Sequence, residues 1–591
     1  MVSLITTREL LRGLCCSQRK WKQQRGRDGS QKRSPLDMIM NQIRRKTSFT
    51  ERRKPSVGRF FRSSESSEKK NADITETKET EINEGRNSRG TGTESNETDT
   101  ELGSVVGWGR IKQFVQKLGK TPDSQSLNLS HCDLTATDLV ELGTLLPFLA
   151  QLEVMDLSWN DLLGGSLQVL AVHLQHVGKL KTLKMSGCRL TAQDLSALGE
   201  ALDSVPMLEI LDLSWNAGAG GGNLHYLTSH FSSASALREL HLVDCQLSEA
   251  DAMSVGELLL LLPCLEVLDL SSNQLVVRGM EDVASCLGST PHLRSLKLRM
   301  CRLDHGSLTV LGEKLKLNPA LEHLDLSCNK ECGGGFSAVA ISLPLLTHLK
   351  CLDIHSCCLT EEDVLVLAQA IPSLGELTDL DLSSNKGAGA VLQTLLHDLP
   401  LSKMKRLHLS DCGLSHEAYH ALATSMQSLT QLESLTLSWN KSVGKNLQWL
   451  LEPLQAGCKL QELRLSSCDL MTEDMLHIES ACKRGALLQL KILDLSYNSS
   501  VSDGGWVSLF GEASGLKELR EMDISLRPTT SLSASPWLPA LLDALPQLPS
   551  LCHLALKRWA LTPGEWEKLQ KAISQRNVGL EWDEVAMPGS R

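Results

Sequence analysis

Leucines recur along this chain in one frame. The stretch Leu152-Glu-Val-Met-Asp-Leu-Ser-Trp-Asn160-Asp-Leu162 follows L-x-x-L-x-L-x-x-N-x-L, with Met at the second leucine, and close variants return at 208–218, 265–275, 321–331, 377–387, 432–442 and 490–500. Between them runs a sister form that ends in cysteine, as in Leu180-Lys-Thr-Leu-Lys-Met-Ser-Gly-Cys188-Arg-Leu190. The ninth position therefore alternates Cys132, Asn160, Cys188, Asn216, Cys245, Asn273, Cys301, Asn329, Cys357, Asn385, Cys412, Asn440, Cys468 and Asn498, in steps of 27 to 30 residues. Fourteen units at one period are the signature of a repeat solenoid.

The two-residue alternation around L-x-L predicts a short strand in each unit. Met155 and Leu157 point inward and Asp156 outward. Stacked in parallel, these strands form one sheet, and the rest of each unit is helical on the other side. Helices are wider than strands, so the stack bends with its strands on the concave side. Several Cys-type units open their helix with a capping box in which Asp replaces Glu: Thr135–Asp138, Thr191–Asp194, Ser248–Asp251 and Thr360–Asp363. The Asn-type units often carry glycines instead, at 164–165, 220–222 and 333–335, which suit a turn through positive φ. The ninth-position Asn and Cys are read as scaffold that satisfies backbone groups where the chain leaves the strand.

Regularity changes at both ends. Val105, Val106, Trp108, Ile111, Phe114, Val115 and Leu118 recur at helical spacing, so 104–123 is expected to be an amino-terminal capping helix. Regular repeats run over 124–518. Residues 519–591 are expected to hold degenerate repeats and a carboxy-terminal cap, with a helix over 563–575 and an edge strand near Leu580–Val585.

Alternation of Asn-type and Cys-type units over roughly 120–560 resembles the ribonuclease-inhibitor-like class of leucine-rich repeat proteins. The resemblance implies an α/β horseshoe solenoid that binds proteins and has no enzyme activity. The same class of repeat also ends nucleotide-binding immune receptors. That reading is set aside, because only about 100 residues precede the repeats and no G-x-x-x-x-G-K-[ST] occurs.

Charge divides the chain. Residues 1–63 carry a net +13, residues 64–103 a net −6 and residues 104–591 a net −17. The first 103 residues are rich in Arg, Lys, Ser, Thr and Glu with no sustained period, and are read as a disordered tail. Thr47, Ser48 and Ser56 follow basic triplets, as phosphorylation sites for basophilic kinases do. The run Arg19–Arg27 could serve as a nuclear address. An apolar leader or membrane span is not expected, since Arg8 and Glu9 interrupt the first residues and no long uncharged apolar run follows. Ladder cysteines two units apart lie about 10 Å from each other, beyond the roughly 7 Å that a disulfide allows. A reducing, intracellular compartment, cytoplasmic or nuclear, is expected.

The outward mid-strand residues run Asn128, Asp156, Lys184, Asp212, His241, Asp269, Lys297, Asp325, Asp353, Asp381, His408, Thr436, Arg464 and Asp494, largely acid against base. A second ladder runs Glu153, Lys181, Glu209, Arg238, Glu266, Arg294, Glu322 and Lys350. Pairing along the sheet would fix strand register and keep the face polar. Trp159, Trp215, Trp439 and Tyr497 all stand just before the ladder Asn. Four aromatics at one repeat position, in a chain with 11 Trp and 3 Tyr, mark a candidate contact surface, with Asp156 and Asp212 beside them. The competing reading packs each ring on the loop of the next coil. His416-Glu-Ala-Tyr-His420 matches the zinc-protease pattern H-E-x-x-H, but it falls where an ordinary unit starts its helix and lacks a third ligand. It is read as coincidence, and Trp449 and Trp506 are read as core. No catalytic, metal or cofactor site is assigned. The expected partner is a protein, with no small-molecule substrate and no nucleic acid on the repeats. The alternative is a ribonuclease-type enzyme inhibitor, for which a net acidic concave face is expected.

Overall fold

The computed structural model describes residues 109–233, 235–275 and 277–583. The proposed tail, its basic run and Thr47, Ser48 and Ser56 lie outside the described residues, as do Val105, Val106 and Trp108.

Among the described residues, seventeen parallel strands of three residues each form one sheet, from Ser126–Asn128 to Gly579–Glu581. Register never slips. Leu127 faces Met155, which faces Leu183, then Leu211 and Leu240. These middle residues are buried, and their neighbours on either side face away from the core. The ladder continues past the strands, where the Trp159 and Trp215 amides donate to the carbonyls of Ser186 and Val243, each at 2.6 Å. The chain is a leucine-rich repeat solenoid.

The ninth position holds the stack together. Asn216 is buried, and its Oδ1 accepts the N–H groups of Cys188 and Leu190, both at 3.0 Å. Its Nδ2 donates to Met185 O at 2.9 Å and Leu213 O at 2.8 Å. One side chain thus satisfies two donors and two acceptors cut off from the sheet. The Cys-type units use a weaker device, in which Cys188 Sγ donates to Leu157 O at 3.2 Å. Burial pushes the Cys188 thiol up to about 11 and those of Cys245, Cys301, Cys412 and Cys468 up to about 12, so they stay protonated at neutral pH.

All four expected capping boxes form. Three of their aspartates do a second job. Asp194, only 2% exposed, also accepts Gly165 N at 2.6 Å and Leu167 N at 2.9 Å from the preceding unit. Asp251 and Asp363 do the same for the glycine turns at 222 and 334. Gly165, Gly221, Gly222 and Gly334 do have positive φ. The units with these turns keep only a single turn of α-helix, as in Gln168–Ala171, His225–Thr228 and Ser337–Ala340. Full helices such as Ala192–Ala201 stand between them.

At the amino end, helix Arg110–Lys117 buries Ile111, Phe114 and Val115 against the first coil. Glu141 caps it by accepting Ile111 N at 3.1 Å and Lys112 N at 2.7 Å. At the carboxy end, helix Pro563–Ser574 leads into the last strand, Gly579–Glu581, which pairs with His553–Ala555. There Trp559 takes the ninth position. Its indole N–H donates to Ile524 O at 2.8 Å, the carbonyl that a ladder Asn would otherwise hold. Trp506, Trp537 and Trp559 form an aromatic core under this cap.

Candidate binding face

The chain must turn sharply to leave each strand, and the turn has one conformation throughout. The residue before the ladder Asn or Cys is left-handed in all fourteen units, from His131 at φ 55° to Tyr497 at φ 62°. Only Gly187 among them is a glycine. Such a conformation costs other residues about 1–2 kcal/mol each, and here it is enforced by hydrogen bonds on both sides. A single backbone geometry places thirteen side chains and one glycine in register along one edge of the strand face.

At that edge Trp159 stacks on His131, with ring centroids 5.8 Å apart and planes 6° from parallel, and lies 6.1 Å from Trp215. Gly187 occupies the same position in the unit between them. A Cβ there would stand 2.6 Å from Trp159 Cε3, so the glycine makes room for the ring. Trp439 and Tyr497, again two units apart, meet edge to face at 6.3 Å. Trp215 and Trp439 are 39% and 40% exposed, and Trp159 and Tyr497 are half-buried. Neighbour packing and exposure, opposed in the sequence, coexist here. Each ring is held on one side and open on another.

The outward aspartates, which end their strands and do not stand at the middle of them, serve the same turn. Asp156 Oδ1 accepts Ser158 N at 2.9 Å and Asp212 Oδ1 accepts Ser214 N at 3.0 Å. The other oxygen of Asp156 meets Asn128 Nδ2 at 3.5 Å, so its pairing along the sheet is with an amide. The second ladder does pair by charge. Lys181 meets Glu153 at 2.8 Å, and Glu322 takes both Arg294, at 2.8 Å, and Lys350, at 2.6 Å. The Lys350 ammonium and the Arg294 guanidinium hold the Glu322 carboxyl below its usual range.

The alternation of charge breaks where Asp325, Asp353 and Asp381 stand side by side. The seventh position is Ser in eleven of the fourteen ladder units, but Val243, Arg299 and His355 replace it. His355 Nδ1 lies 2.7 Å from Asp353 Oδ1 and 3.8 Å from Asp381 Oδ2, while its Nε2 lies 3.2 Å from Cys328 Sγ. Burial works against its positive charge, but Asp353 and Cys328 outweigh burial and push it up to about 11. Sequence reading missed this group. Its only signal was the departure from Ser at 355.

The histidines of H-E-x-x-H lie elsewhere. Ser415 caps helix His416–Ser425, and both His416 and His420 sit 5.1 Å from the ring of Trp449, edge to face. They clamp a half-buried Trp449 from the next unit, whereas Trp506 is fully buried.

Among the described residues, no helix is long and apolar enough to cross a membrane. The family model for a leucine-rich repeat matches residues 262–284. The ribonuclease inhibitor of Sus scrofa is 29% identical over 304 residues, 50% of this chain and 66% of that protein. The ribonuclease inhibitor of Mus musculus is 29% identical over 348 residues, 58% of this chain and 74% of that protein. Among solved structures, an internalin from Listeria monocytogenes matches with a TM-score of 0.36 and 19% identity, over 68% of this chain and 87% of that one.

Proposed function

We propose that this leucine-rich repeat solenoid holds a protein partner on its strand face, with Trp159, Trp215, Trp439 and Tyr497 as the principal contacts and no reaction catalysed. The single observation behind this is the pair of exposed indoles, Trp215 and Trp439, each braced by a second aromatic at the same repeat position. Aromatic side chains already fixed by their neighbours lose little freedom on binding, and Trp and Tyr dominate interface energetics. Asp156 and Asp212, half-buried beside the first pair, would orient polar groups of the partner. The partner is a protein and not a nucleic acid, since the repeat domain is acidic. Buried ladder thiols, spaced too far apart to join as disulfides, suit a reducing, intracellular setting, cytoplasmic or nuclear. The wording of individual units, Asp-Leu-Ser-Trp-Asn at 156–160 and 212–216 and Asp-Ile-Ser-Leu-Arg-Pro at 523–528, resembles leucine-rich repeat-containing protein 31.

Replacing Trp159 and Trp215 by Ala tests the proposal. The expected outcome is an unchanged thermal midpoint with loss of the co-purifying partner, at about 2 kcal/mol or ~30-fold in Kd per indole. Loss of folding, or retention of the partner by a folded variant, contradicts it.

A second reading, an enzyme inhibitor of the ribonuclease-inhibitor type, draws on the relatives of that name and on the adjacent Asp325, Asp353 and Asp381. A direct ribonuclease assay decides it, with inhibition abolished by high salt if the acidic stretch is responsible.

A further inference from the structure

The strand face carries a second constellation, distinct from the aromatic edge and independent of any partner. Two imidazoles converge on one carboxylate. His355 Nδ1 is 3.8 Å and His408 Nδ1 is 3.4 Å from Asp381 Oδ2. Asp353 Oδ1 adds a second carboxylate, 2.7 Å from His355 Nδ1. The ligand atoms of Asp353, His355 and Asp381 all lie within 4.8 Å of one another.

The outer nitrogens are anchored as well. His355 Nε2 is 3.2 Å from Cys328 Sγ. His408 Nε2 is 3.0 Å from Ser434 Oγ, which donates in turn to Glu462 Oε2 at 2.8 Å. A metal-ligating imidazole characteristically has its remote N–H held by an acceptor, so that the other nitrogen faces the ion. Both histidines have that arrangement, and they come from adjoining coils on the two sides of Asp381. The backbone fixes the carboxylates too, because Asp353 Oδ1 accepts His355 N at 3.1 Å and Asp381 Oδ1 accepts Ser383 N at 2.9 Å.

We propose that Asp353, His355, Asp381 and His408 form a binding site for a divalent transition-metal ion of the zinc class. Two nitrogens and two oxygens are a zinc-type donor set, and bonds of about 2.0–2.1 Å at tetrahedral angles separate ligand atoms by roughly 3.3 Å. The two contacts to Asp381 are already within about half an ångström of that. The Asp353–His355 pair is closer, as a hydrogen bond requires. The ion replaces the Nδ1 proton shared by that pair, and the proton is released to solvent. The His355 Nε2–H stays on Cys328 Sγ, which makes Cys328 a positioning residue and not a ligand. Asp325, the next rung of the ladder, adds negative charge without joining the set. The site sits at the middle of the sheet, where an ion would replace mutual repulsion of carboxylates with a cross-link over the coils at 351–357, 379–385 and 406–412.

The test uses the full chain, reduced and stripped with a chelator, titrated with Co2+ and followed by visible absorption. One cobalt per chain is expected, with tetrahedral ligand-field bands and no thiolate charge-transfer band. His355→Gln and His408→Gln should each weaken binding tenfold or more while keeping the metal-free thermal midpoint. Zn2+ should raise the midpoint of the parent protein more than that of either variant. His416→Gln, in the H-E-x-x-H segment, should bind cobalt as the parent does. Parent-like affinity in both ligand variants, a thiolate band, or no cobalt uptake by the parent overturns the assignment.

Discussion

Asn216 shows at the scale of one residue what each repeat depends on. Its amide closes four backbone hydrogen bonds in a site with no access to water. Asn216→Ala leaves Cys188 N, Leu190 N, Met185 O and Leu213 O without that partner. Each such orphan costs about 1–3 kcal/mol, so a loss of at least 3 kcal/mol in chemical denaturation is expected. Asn216→Cys, the neighbouring units' own solution, should cost less. The scaffold role of the ninth position was legible in the sequence because periodicity alone isolates it. The left-handed turn at the eighth position was not, because the fourteen residues there share no side-chain chemistry. His355 was passed over for a different reason. It sits two residues beyond the outward ladder, at a position where serines ordinarily stand, and only the folded chain brings its ring back over Asp353 and Asp381.

The capping box is the device that matters at the scale of the element. The sequence marked Thr360–Asp363 as the start of a helix, and that is where Glu361–Ala370 begins. What it could not mark was the reach of Asp363 into the preceding coil, where it accepts Gly334 N at 2.6 Å and Phe336 N at 3.0 Å. Distances between coils leave no trace in local spacing. Thr360→Ala should therefore cost about 1 kcal/mol, the ordinary value for a lost cap. Asp363→Ala should cost clearly more and loosen two units at once. Hydrogen exchange of the Gly334 and Phe336 amides distinguishes the two, with faster exchange in Asp363→Ala and little change in Thr360→Ala. Equal protection in both variants would assign the turn's order to glycine geometry alone. The H-E-x-x-H segment teaches a related lesson. As a string it matched a metal motif, but the element it lies on turns both histidines onto Trp449.

Over the described residues, each coil packs mainly on its neighbours, so the ends need separate solutions. Glu141 and the helix Arg110–Lys117 supply one, and Trp559 with the strand Gly579–Glu581 supplies the other. The loss of repeat wording at 104–123 and 519–591 is what the sequence offered for the two ends; the carboxylate of Glu141 and the indole of Trp559 in these roles come from the folded chain. The solenoid itself was readable from its period. The proposed contact edge was readable only in part, because a period specifies which side chains share an edge but not how far each ring is covered. Trp159 and Trp215 flank Gly187, and Trp439 and Tyr497 flank Ser467, leaving seven edge positions between the two pairs, Met300 and Ser384 among them.

Docking of a partner protein on this strand-side edge is open to direct test. A photo-crosslinking side chain at Met300 or at Ser384, compared with one at helix-side Ile341 or Phe148, tests it most directly in cells. One discrete heavier adduct is expected from the two edge positions, absent from the two helix-side positions and lost when Trp215 and Trp439 are replaced by Ala. An adduct formed only from the helix side, or an edge adduct that survives both replacements, would contradict it.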